Sequence, residues 1–99
     1  MSQEKIKSEL LAAVTLTLFE HDPVGINFEC NSDEYEPEAK TIITRLNYSM
    51  SADEVLVIVY EEFCYWFGDE VAGPIEKYSL ISTDIHQLLF SFNEITNRS

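Results

Sequence analysis

Carboxylates are the side chains best placed to do chemistry in this chain. Eighteen Asp and Glu stand against six Lys and Arg in 99 residues, leaving a formal net charge of -12. Four of the acids, Asp33, Glu34, Glu36 and Glu38, crowd into one stretch. Carboxylates in such proximity can serve as acid and base or hold a cation. Their spacing does not match a calcium loop, which needs alternating ligands, a central Gly and a bidentate Glu at its twelfth position. His21 and His86 are far apart in sequence, and no Ser or Cys sits in a recognisable nucleophile context. Cys30 and Cys64 form neither a metal-ligand spacing nor a disulfide framework, and read as two reduced thiols. Three scattered glycines, Gly25, Gly68 and Gly73, supply no phosphate-cradling loop. The expectation is a protein that is not an enzyme and carries no metal and no cofactor.

The charge instead bears on partners. Nucleic-acid binding draws most of its strength from Lys and Arg neutralising phosphates, so direct binding to nucleic acid is not expected. An anionic membrane surface repels such a chain, and no apolar run reaches the 18 or more residues of a membrane span. A cationic protein, by contrast, is drawn in by long-range steering. The acids are unevenly spread: eight fall between Ser8 and Ala39 and seven between Leu46 and Glu76, with no Lys or Arg in either stretch. In the second stretch Tyr65 and Trp66 lie beside Glu61, Glu62, Asp69 and Glu70. Aromatics of this kind, ringed by charge, are frequent interface anchors. Tyr60, Phe63 and Phe67 share another helical face and are expected in the core.

Four helical patterns must position these groups. From Ser2 to Glu20, residues Ile6, Leu10, Ala13, Val14, Thr17 and Leu18 recur at spacings of three and four. That helix should end before Asp22-Pro23, because the residue preceding a proline is pushed out of the helical region. A second, short helix is expected from about Glu36, with Pro37 in its first turn and Ala39, Ile42, Ile43 and Leu46 as its apolar set. Ser51 followed by Glu54 is a capping box, opening a third helix over about Ala52 to Phe67 that stops at Gly68. Its VLVIVY run suits a strand as well; the cap, the Gly stop and the length favour a helix. From Pro74 to Thr96, Ile75, Tyr78, Ile81, Ile85, Leu88, Leu89 and Phe92 give the cleanest helical period, predicting one helix, with a split at Ser82 or Thr83 as the alternative. The chain is thus expected to be all-α, a single-domain bundle of about four helices with a long acidic loop between the first two. The N-terminal MSQEKIKSE does not read as a signal peptide, which makes the cytoplasm the expected location.

Three stretches carry a resemblance: DPVGI at Asp22, SDEYEPE at Ser32 and YEEFCYWFG at Tyr60. Together they resemble a family of small, acidic, helical bacterial proteins in which an Asp-Pro-x-Gly turn precedes an Asp-Glu-Tyr-Asp-x-Glu stretch, and some members are immunity proteins of contact-dependent growth inhibition systems. The resemblance covers Asp22 to Gly68. Asp22, Pro23 and Gly25 match the turn and are expected to be structural. Asp33, Glu34, Tyr35, Glu36 and Glu38 match the acidic stretch, with Glu36 where the family usually has Asp. The segment NFECNS between them departs from the family's Gly-rich, Pro-containing pattern. What the resemblance implies is an immunity protein that occludes the basic active site of a cognate toxin nuclease domain, with Asp33, Glu34, Tyr35, Glu36, Glu38, Glu61, Glu62, Tyr65, Trp66, Asp69 and Glu70 facing that partner. A non-catalytic cytosolic adaptor binding another basic protein is the second reading, and a small metal-dependent hydrolase the third.

Overall fold

Capping and apolar periodicity place four α-helices, which a computed structural model describes over residues 3–23 and 35–97: α1 (Gln3–His21), α2 (Glu36–Arg45), α3 (Ala52–Ala72) and α4 (Ser79–Asn97). No strand occurs among the described residues. The expectations for Gly25, Cys30, Asp33 and Glu34 lie outside them.

Helix α1 buries Leu10, Val14 and Leu18 at steps of four. Its strand-like TLTLF stretch stays helical because Val14 and Leu18 pack into the core on one side, while the Thr15 and Thr17 hydroxyls donate to the Leu11 and Ala13 carbonyls at 2.7 and 2.9 Å. The helix closes where Asp22 turns into the left-handed region at φ 47°, a conformation that Asp tolerates better than most residues. Helix α2 carries Glu36 and Glu38 in its first turn and Arg45 in its last, each matched to the helix dipole.

The capping box forms as expected: Ser51 Oγ accepts from the Glu54 N–H at 3.2 Å and the Ser51 N–H donates to Glu54 Oε1 at 3.0 Å. Replacing Ser51 by Ala should destabilise the domain by about 1 kcal/mol and lower Tm by roughly 4–8 °C in a thermal melt. The VLVIVY run is helical, burying Val55, Ile58 and Val59 on one side. At Gly68 the helical path breaks, with φ 82° and ψ 159°, and a further turn carries the chain to Ala72. No atom lies within 4 Å of a Cβ built at Gly68, so the demand for Gly comes from its positive φ rather than from crowding.

The expected single helix from Pro74 is instead a 3₁₀ turn, Ile75–Tyr78, running directly into α4. Ser82 Oγ and Thr83 Oγ1 do not cap a separate helix; both donate back to the Ser79 carbonyl, at 2.8 and 3.0 Å. The tighter turn carries the Tyr78 ring into the core, where its OH donates to the Ala72 carbonyl at 2.6 Å. Burial pushes the Tyr78 phenol up to about 12. A phenol near 10 when unfolded and near 12 when folded stabilises the native state fully below about pH 10. Part of that stability should disappear between about pH 10 and about pH 12, a loss that urea unfolding across this range would detect and that Tyr78→Phe should flatten.

Helix α1 packs on α2 and α4, and α3 packs on the same two, so the four helices close a ring around one core. Phe63 occupies its centre, its ring centroid 6.0 Å from that of Tyr35, 5.7 Å from Phe67 and 5.2 Å from Tyr78.

Candidate protein-docking face

The acidic motif divides once its residues are placed. Tyr35, expected to face a partner, is wholly buried, and its OH donates to Asp22 Oδ1 at 2.7 Å, thirteen residues back. This bond ties the end of α1 to the start of α2. Asp22 accepts this bond beside a buried Pro23. Tyr35 is structural, which corrects its assignment as a contact residue. Glu38 is corrected likewise: it is 5% exposed, on the α2 face that also buries Ala39 and Ile42. Glu36 reaches the surface and pairs with Lys40 one turn on, at 3.3 Å. Losing the hydroxyl in Tyr35→Phe should cost about 1–3 kcal/mol in urea unfolding, because a charged acceptor loses its donor, while partner binding stays unchanged.

The second group of predicted residues does reach the surface. Helix α3 presents Tyr65, 80% exposed, and Trp66, 40% exposed, with their rings edge to face at a centroid distance of 6.1 Å. Asp69 and Glu70 follow on exposed positions past the Gly68 break. The indole is held in place: Trp66 Nε1 donates to Thr41 Oγ1 at 3.1 Å, and that hydroxyl donates to the Glu38 carbonyl at 3.0 Å. An aromatic fixed before contact loses less side-chain freedom on binding.

Glu61 and Glu62 are not free carboxylates. Arg45 bridges both, with Nη2 2.7 Å from Glu61 Oε1 and Nη1 3.0 Å from Glu62 Oε2, joining α2 to α3. These two hydrogen bonds hold the guanidinium above its ordinary pKa. One positive charge thus offsets part of the acid on this face, and Glu61 remains more exposed than Glu62, at 53% against 15% of the side chain. Cys64 is a free, half-buried thiol on the same helix, and its hydrogen bond to Tyr60 raises that phenol above its usual value.

The partners of Trp66, Glu61 and Glu62 were beyond the reach of sequence patterns, because Thr41 and Arg45 lie on another helix. The same holds for His21, whose Nε2 lies 2.8 Å from Asp84 Oδ2 and joins α1 to α4. That pair lines an open polar cleft with Thr17, Glu20, Gln87, Leu88 and Ser91. No group of three or more His, Cys, Asp or Glu side chains that could hold a metal occurs among the described residues. No helix there is long and apolar enough to cross a membrane. Set against known families, curated proteins and solved structures, the chain matches none of them.

Proposed function

We propose that this chain is an immunity protein of the contact-dependent growth inhibition type, acting in the cytoplasm without catalysis by covering the basic active site of a toxin nuclease domain. The observation that carries the reading is Tyr65, a large aromatic 80% exposed on a packed helix, next to an indole fixed by Thr41 and followed along the chain by the exposed Asp69 and Glu70. Rings of this kind supply binding energy when they are desolvated, and the surrounding carboxylates supply speed and selectivity toward a cation-rich partner. The -12 net charge and the motif resemblance support the same class of partner. Nuclease active sites attract phosphates with Lys and Arg, so an acidic cover competes directly with the substrate.

The test is co-expression with the C-terminal nuclease domain of a large exported protein whose gene adjoins the one for this chain. Protection from growth arrest, and a complex whose association slows steeply as salt rises through about 0.15 M, where the Debye length is about 8 Å, are expected. Complex formation without protection would favour an adaptor. Neither protection nor a complex would overturn the proposal.

A further inference from the structure

Tyr65 is not alone on the outer face of α3. Val57 lies two turns before it and is 45% exposed, with Glu61 between them in steps of four residues. At the start of the helix, Met50, Val57 and Ile58 form the floor of a shallow groove of about 390 Å³, and Asp53 and Glu54 form its rim. Apolar side chains therefore run along one side of α3 between carboxylates. The opposite side, through Val55, Val59 and Phe63, belongs to the core.

We infer that this face, from Met50 through Val57 and Glu61 to Tyr65, is a docking groove for an amphipathic basic helix of the partner. The inference rests on the proposed function for its Tyr65 end and extends it to the opposite end of α3. Charge selects the occupant. Asp53 at the rim and the net charge of -12 complement Lys or Arg, whereas a second copy of the chain would set the same charge against itself. Arg45, already seated between Glu61 and Glu62, shows how a guanidinium fits at this edge. Backbone geometry selects the helix. No strand edge exists among the described residues to pair with an extended peptide, and apolar side chains at helical spacing between carboxylates match the apolar and basic sides of an amphipathic helix. Val57 and Tyr65, eight residues apart, are separated by about 12 Å along α3, close to the rise of about 11 Å over two turns of a partner helix.

The probe is a peptide of about 14 residues built from Leu and Lys, roughly 21 Å long as a helix, with the Leu on one side and the Lys on the other. Its scrambled isomer, of the same charge, is the control. In amide NMR spectra of the whole chain, the amphipathic peptide should shift resonances from Met50 through Val57 to Tyr65, and the scrambled one should not. Val57→Asp should weaken binding about tenfold, and Val57→Ser by less, both with unchanged circular dichroism. Shifts confined to Tyr65 through Glu70, or equal binding of the two peptides, would overturn the inference. The growth assay separates the two ideas. If Tyr65→Ala abolishes protection and Val57→Asp leaves it intact, the groove fails and the immunity reading stands; if the unaltered chain gives no protection, the immunity reading fails whatever the peptide does.

Discussion

Phe63→Ala should leave the domain unfolded or at the edge of unfolding. The ring is fully buried and touches Tyr35, Phe67 and Tyr78, which come from three parts of the chain. Deleting a buried Phe side chain costs about 3–5 kcal/mol, partly for lost apolar transfer and partly for the cavity that remains. A chain of this size is stabilised by about 5–15 kcal/mol in all, so the loss removes a large share of the total. Urea unfolding should show the midpoint collapsing toward zero denaturant, with Phe63→Leu recovering much of the loss. The cavity would open at the point where α3, the start of α2 and the 3₁₀ turn meet, so the relative placement of those elements depends on this ring.

Two residues further along the same helix the expected result reverses. Tyr65→Ala should leave stability within about 0.5 kcal/mol of the original, as for most exposed positions, and reduce affinity for the toxin domain about 30-fold or more. Combined with Trp66→Ala the loss should approach 1,000-fold, with some departure from additivity because the two rings touch. Trp66→Ala alone should also cost a little stability, since the indole N–H bonds to Thr41 across to α2. As Trp66 is the single Trp in the chain, its fluorescence reports directly on that seat. A Thr41→Val substitution should change the emission and weaken binding severalfold without changing helix content. Calorimetric titration with the purified toxin domain, run beside urea unfolding, separates the affinity losses from the stability losses.

How much of this was legible depends on how far each interaction reaches along the chain. The Ser51–Glu54 capping box could be read directly, because both partners lie within one turn and the geometry is local. The buried positions of α4 follow from Ile81, Ile85 and Leu89 at steps of four, and the break in α3 from the one Gly inside the helix. Glu38 carried a signal that its charge obscured: it stands four residues before Ile42, and the same periodicity places both on the inner face. Tyr35 matched an acidic motif whose other members are charged, yet a phenol between a helix start and an aromatic core has more to gain from burial than from exposure. The bonds from Tyr35 to Asp22, Arg45 to Glu61 and Glu62, Trp66 to Thr41 and His21 to Asp84 span between 13 and 63 residues. Each depends on how helices pack, which one helix's periodicity does not specify. The exposure of Val57 belongs to this class as well: VLVIVY reads as apolar throughout, and only the packing of α2 and α4 against α3 decides which of its side chains is left facing water.

The acids of the chain therefore have two different jobs. Asp22 holds the Tyr35 hydroxyl, and Glu61 and Glu62 clamp Arg45, so these carboxylates first stabilise the fold. Asp69 and Glu70 stand on exposed positions past the Gly68 break, without such ties to bases among the described residues. The proposed docking surface accordingly rests on the outer side of α3 rather than on Tyr35 and Glu38, which are buried.

The most direct measurement is the growth of bacteria that produce the toxin's C-terminal domain together with either the unaltered chain or its Tyr65→Ala, Trp66→Ala double variant. With both proteins present at equal levels and equally helical by circular dichroism, the unaltered chain should restore growth and the double variant should not. Equal protection by the two would contradict the assignment of the docking surface to α3.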